Sequence, residues 1–275
     1  MTNILLIGCG DIGLALANAL AARGYRVTAV KRNPLKVPVD FSVLLADICR
    51  PASIQRLPTD FRLVIYVVAP DQRDDETYRA LYYAAVDNVL QHFARFDRKP
   101  KWLFVSSTSV YGQNHGEWVD EKSPAQPASA TGRCLLAAEN LLYQDSDKHC
   151  VVRFSGIYGP GRNRLAHRAA GADAVQYQPA YFSNRIHRDD CVGVLLFLSE
   201  KLLAGDLLQS CYLASDDEPA PIWDVLCWIA DLNGYPRPQA LELAVGSAQN
   251  KRCSNRRLRE LGYRFLYPSY KDGYR

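Results

Sequence analysis

The chain has 275 residues, 48% of them hydrophobic and 23% charged, with a formal net charge of +4. That is material for one large domain or two modest ones. So weak a charge, with no basic run, argues against a nucleic-acid partner and suits a small anionic ligand. No stretch approaches the roughly 18 apolar residues of a membrane span. "MTNILLIGCG" has no leader pattern, and the eight cysteines show no metal-binding spacing. The expectation is a cytoplasmic protein with reduced core thiols, no metal and no membrane partner, as a monomer or homodimer.

Strand-like and helix-like segments alternate through the first two thirds. Residues 3–8 (NILLIG) predict a buried strand, and 11–24 a helix closed by Gly24. Further strands are predicted at 25–32, 41–48 and 61–70, the last stopped by Pro70. Asp74, Asp75 and Glu76 then open one long helix to about Phe96, with acids at its positive end. Residues 101–112 form a fifth strand, 129–144 a helix, and "HCVVRFSGIYGPG" a sixth strand. Residues 165–187 read as mostly loop. Asp189 or Asp190 caps the next helix, and 210–234 reads as strand, loop and helix. Buried strands separated by helices imply an α/β fold, a doubly wound parallel sheet covered on both faces. Ligands bind such sheets at the carboxyl ends of the strands, so the loops after residues 7, 30, 46, 68, 106 and 155 are the informative ones.

"IGCGDIG" places Gly8, Gly10 and Gly13 in G-x-G-x-x-G spacing between a strand and a helix. The first glycine makes the turn, the second admits a pyrophosphate, and the third lets helix and strand pack. The helix N-terminus then faces the phosphates. Where an acid would hold the ribose 2′-hydroxyl of NAD, the second strand ends in Lys31 and Arg32. Two cations favour the 2′-phosphate of NADP over NAD, unless they are a solvated pair. Asp47 is either an acceptor for the adenine amino group or a turn aspartate. The candidate cofactor contacts are Gly8, Gly10, Asp11, Ile12, Gly13, Lys31, Arg32, Asp47, Ile48, Ala69, Pro70 and Ser106.

With "VSSTSVYG", "DEKSPAQP", "GIYGPGRN" and "NRIHRDD", these features resemble the extended NAD(P)-dependent epimerase/dehydratase branch of the short-chain dehydrogenase/reductase superfamily. The resemblance covers most of the chain. It implies a Rossmann domain over 1–155 and about 186–215, and a smaller substrate domain over about 156–185 and 216–275. It also implies four working residues: a serine, a tyrosine, a lysine four positions later, and an asparagine. Only Ser107 matches. Ala85 falls at the asparagine position, Thr131 at the tyrosine and Leu135 at the lysine. Neither Tyr267 with Lys271 nor Tyr158 with Arg162 repairs the pair, because each spacing runs through a proline turn.

A threonine hydroxyl is far less acidic than a phenol, and Leu135 supplies no cation. The chain therefore resembles the atypical members of the superfamily. Ser107, Thr131, Tyr111 and Tyr158 are its candidate catalytic groups, although both tyrosines could simply pack. His187, Arg162 and Arg185 are candidate contacts for an anionic, nucleotide-sugar-like substrate. His187 could instead be a helix-start histidine bonded to backbone. Two functions stay open: an NADP-dependent oxidoreductase or epimerase with altered acid/base residues, and a non-catalytic NADP sensor or scaffold.

Overall fold

The computed structural model describes residues 1–34, 39–72, 74–243 and 250–275. In chain order the elements are β1 (Asn3–Ile7), α1 (Asp11–Ala22), β2 (Arg26–Lys31), β3 (Ser42–Leu45), α2 (Pro51–Ile54), β4 (Leu63–Tyr66), α3 (Asp75–Arg79), a π turn (Ala80–Ala84), α4 (Ala85–Phe93), β5 (Lys101–Ser107), β6 (Glu117–Val119), α5 (Ala130–Asp145), β7 (Cys150–Phe154), β8 (Gly156–Tyr158), α6 (Arg164–Ala170), β9 (Ala174–Gln178), β10 (Phe182–Ser183), β11 (Arg185–His187), α7 (Arg188–Ala204), β12 (Cys211–Ala214), β13 (Ala220–Pro221), α8 (Ile222–Asn233), β14 (Gln239–Glu242), β15 (Lys251–Cys253), α9 (Arg256–Glu260) and α10 (Tyr270–Gly273).

Seven strands form one sheet in the order β12-β7-β5-β4-β1-β2-β3. The pairs joining β5, β4, β1, β2 and β3 are parallel. The order reverses at β1, which lies between β2 and β4, and the crevice beyond its carboxyl end is where such sheets bind ligands. Leu5, Leu6, Leu63, Val64 and Ile65 are wholly buried, as are Leu16 and Leu20 on α1. Each such side chain contributes about 1.5–3 kcal/mol on burial. α1 ends in a Schellman motif: Gly24, at φ +82°, donates to Ala21 and Tyr25 to Leu20.

Several boundaries differ from the sequence expectation. The helix predicted from 74 to about 96 is interrupted by the π turn. Buried Tyr66 donates from its hydroxyl to the carbonyl of Leu81 inside that turn, and a side chain inserted into the backbone ladder is a usual cause of such a bulge. The predicted sixth strand is two strands, because β7 belongs to the large sheet while β8 pairs with β11. Residues 165–187 are not mostly loop: they hold α6, β9, β10 and β11. β9 is completed by β14 and β10 by β13, so distant partners rather than local pattern make them strands. Asp190 does not cap α7. It lies inside the first turn and accepts from the backbone N–H groups of Leu266 at 2.8 Å and Tyr267 at 2.9 Å.

The chain divides into two compact units. Unit one comprises 1–110, 127–153 and 192–212; unit two comprises 111–126, 154–191 and 213–275. Residues 111–126, which the sequence analysis leaves with the first domain, group with the second. Unit two packs α6 and α8 around Ala169, Val175, Val225, Leu226 and Ile229. All eight cysteines are free thiols, five of them buried. Among the described residues no helix is long and apolar enough to cross a membrane.

Candidate functional site

In unit one the glycine turn has three distinct jobs. Gly8 has φ +99°, and a Cβ there would stand 2.6 Å from the Val67 carbonyl oxygen. A Cβ on Gly13 would collide with the Gly8 carbonyl, so these two glycines are required by the protein's own backbone. Gly10 differs, since its Cβ would meet nothing within 4 Å. It is the N-cap of α1 and makes no side-chain cap bond. The first-turn N–H groups of α1, which have no carbonyl of their own helix to bond, follow a glycine whose side-chain direction is open, which suits a bound pyrophosphate.

At the end of β2, Lys31 is half-buried and Arg32 exposed. Arg32 donates to Asp71 at 2.5 Å, and this bond holds its pKa above the ordinary value. Both side chains are more than half exposed, so the pair is weak and Arg32 remains available to a stronger anion. Asp47 accepts from the Cys49 N–H at 3.0 Å and faces Arg50 at 3.4 Å, the arrangement of a turn aspartate. Ile48 is buried beside it. Beyond β4, Tyr82 donates to the Val68 carbonyl at 2.8 Å and supports the chain leading to Ala69 and Pro70.

The end of β5 carries Ser106 and Ser107, which have different fates. Ser106 is buried and donates to Glu139 at 2.6 Å. Its hydroxyl is therefore committed to that carboxylate. Ser107 stays half-exposed and accepts from the Ser109 N–H at 3.1 Å. Ser129 caps α5, accepting from the Gly132 N–H at 3.0 Å. A Cβ on Gly132 would stand 2.7 Å from the Ser109 carbonyl, so the first turn of α5, with Thr131, sits against the loop that follows Ser107. Thr131 shares a hydroxyl contact with Ser129 at 3.2 Å. Leu135, one turn on, is 5% exposed. One turn further Glu139 is wholly buried, with the Arg153 guanidinium donating to it at 3.0, 3.2 and 2.5 Å. The face of α5 that runs through Thr131 and Leu135 therefore ends in a buried ion pair spanning α5, β5 and β7.

In unit two the structure brings Tyr158, Arg185 and His187 together, but not as exposed contacts. Each carries a tyrosine from the C-terminal segment. Tyr274 stacks on Tyr158 at 4.7 Å, Tyr270 lies under Arg185 at 4.8 Å, and Tyr267 covers His187 at 3.7 Å between centroids. Tyr158 donates to the Ser269 carbonyl at 3.4 Å, and burial pushes its phenol far above the ordinary range. His187 accepts at Nδ1 from the Asp189 N–H at 3.2 Å, and burial lowers its pKa. That is a neutral helix-start histidine. Arg185 is 2% exposed, bonded to Ser183 and to the Glu218 carbonyl. Tyr111 is wholly buried and donates to the Asp120 carbonyl at 2.8 Å. These four side chains are held by packing and internal hydrogen bonds. Arg162 is half-buried at the turn of Gly159.

Several groups here escape sequence reasoning. Asp216, 1% exposed, has no well-formed hydrogen bond to either oxygen, and Arg185 Nε stands 3.9 Å away. Burial pushes its carboxyl up to about 8, against the pull of Arg185. No local pattern marks it. Glu139 and Arg153 did leave a signal, one charge in each of the apolar runs "LLAAENLL" and "CVVRF".

An open glycine turn before an uncapped helix, at the reversal point of a parallel sheet, defines a dinucleotide-binding α/β protein. The chain belongs to the NAD dependent epimerase/dehydratase family, whose pattern matches residues 4–205. Protein YeeZ of Escherichia coli strain K12 is 29% identical, over 98% of this chain and 97% of its own. A structure from Methylobacillus flagellatus, named for the NAD-dependent epimerase/dehydratases, is 34% identical, covers 99% of this chain and 96% of its own, and superposes with a TM-score of 0.82. The UDP-glucuronic acid 4-epimerase of Bacillus cereus, solved in complex with NAD, shares the fold at TM-score 0.78 and 20% identity, over 99% of this chain and 96% of its own.

Proposed function

We propose that unit one binds NADP(H) in preference to NAD(H), and that the chain is an oxidoreductase- or epimerase-type protein that works without a tyrosine–lysine pair. The observation that carries this is the open face of Gly10 at the uncapped start of α1, with Lys31 and Arg32 at the next strand end. The α1 N–H groups would hold the pyrophosphate. Lys31 and Arg32 would meet the 2′-phosphate, with Arg32 leaving its exposed bond to Asp71. Bound nicotinamide would supply hydride transfer. Ser107 would orient a substrate oxygen, and Thr131 would donate one hydrogen bond. An anionic, nucleotide-sugar-like small molecule is the substrate class.

A second reading, an NADP(H)-binding sensor or scaffold without turnover, is favoured by the commitment of Tyr111, Tyr158 and His187 to internal contacts. Steady-state kinetics on common nucleotide-sugar and carbonyl substrates, for wild type and Thr131→Ala, separates the two. Loss of a general acid typically costs about 10²–10⁴-fold. Negligible wild-type turnover, little changed in Thr131→Ala, is what the second reading expects. Robust activity that collapses in the variant makes threonine the acid; robust activity that survives eliminates the sensor reading.

A further inference from the structure

Lys251 opens β15 in unit two and is 5% exposed. Its ammonium donates to the Tyr111 carbonyl at 3.2 Å. Among the described residues no carboxylate pairs with it, and the one titratable group acting on it is the Cys253 thiol, too weak an acid to answer the charge. Burial lowers its pKa accordingly. Lysines are almost never buried this far without a partner, since an uncompensated buried ion costs several kcal/mol. Among the described residues a single carbonyl accepts from it, which leaves two ammonium N–H donors for something else.

The frame around this charge is firmly made. β15 pairs in parallel with β6, Lys251 opposite Glu117. Asn184 clamps the strand from its other side, donating to the Lys251 carbonyl at 2.8 Å and accepting from the Cys253 N–H at 2.7 Å. The Tyr111 ring is buried and its hydroxyl fixed on Asp120. A rigidly placed cation without its anion is the form of a preorganised ligand contact.

We propose that Lys251 is a contact for an oxyanion, the phosphate or carboxylate of a small-molecule ligand, at a site in unit two separate from the glycine turn. This rests on the anionic small-molecule substrate proposed above. The rival role is a cap for the Tyr111 carbonyl, and the two roles oppose each other in sign. Lys251→Met removes charge and donor together. Lys251→Gln keeps a donor and removes only the charge.

Inorganic phosphate, malonate and UDP are titrated calorimetrically into the full chain and both variants, with NADP+ titrated alongside and thermal unfolding recorded. The expected result is binding of at least one probe by wild type, weakened about tenfold or more in both variants, which corresponds to about 1.4 kcal/mol. NADP+ affinity stays unchanged, and ligand-free Lys251→Met unfolds at the wild-type temperature or above it. Phosphate against malonate tells which oxyanion is taken. The proposal is overturned if wild type binds no probe, or if the variants bind as well as wild type. It is equally overturned if Lys251→Met is destabilised while Lys251→Gln behaves as wild type. A wild type that binds an oxyanion and no NADP+ defeats the proposed function and leaves Lys251 standing.

Discussion

Replacing Glu139 with alanine tests how α5 is fixed to the sheet beside the candidate site. The carboxylate is wholly buried and takes three bonds from Arg153 and one from Ser106. Arg153 is itself 5% exposed, so Glu139→Ala takes the carboxylate from a buried guanidinium. Removing one partner of a buried pair costs about 3–5 kcal/mol, a fifth or more of the typical stability of about 5–15 kcal/mol. At about 2–4 °C per kcal/mol for a chain of this size, the melting temperature should fall by about 6–20 °C. Urea and thermal unfolding measure it. The double variant Glu139→Leu/Arg153→Met, which leaves no stranded charge, should be more stable than Glu139→Ala. A single-variant loss below about 1 kcal/mol, or a double variant worse than the single, refutes the picture of a desolvated pair.

Gly10→Val should fold with wild-type stability and fail to bind dinucleotide, because its side chain enters the open space where a pyrophosphate would lie; normal binding by NADPH fluorescence would reduce the loop to a packing turn. Asp216 sets a pH dependence. Its folded-state value of about 8 lies above the ordinary carboxyl value, so the folded chain keeps a proton that the unfolded chain releases between about pH 4 and pH 8. The stability from this group is complete below that window and lost as pH rises through it. Asp216→Asn should flatten the stability profile there and exceed wild type near pH 9; an unchanged profile rules Asp216 out as its source.

The first half of the fold is legible because its signals are local. Apolar runs bounded by turns mark β1, β2 and β4, and Gly24 closes α1 in the αL region where a side chain would strain. The glycine turn is legible because two of its glycines answer the protein's own backbone and one answers open space. The small strands of unit two are not legible, because they are made by partners far along the chain: β6 by β15 and β9 by β14. The same distance hides the three C-terminal tyrosines that cover Tyr158, Arg185 and His187. The cysteines read as core thiols, and five of the eight are buried. Lys251 leaves no mark, since a lysine beside an arginine looks solvated in any sequence.

Calorimetric titration of NADP+ and NAD+ into the ligand-free protein, repeated with Lys31→Ala/Arg32→Ala, tests the central claim most directly. Tighter binding of NADP+, with the difference erased in the double variant, is the predicted result. NAD+ binding equal to or tighter than NADP+, or a preference that survives loss of both cations, would contradict it.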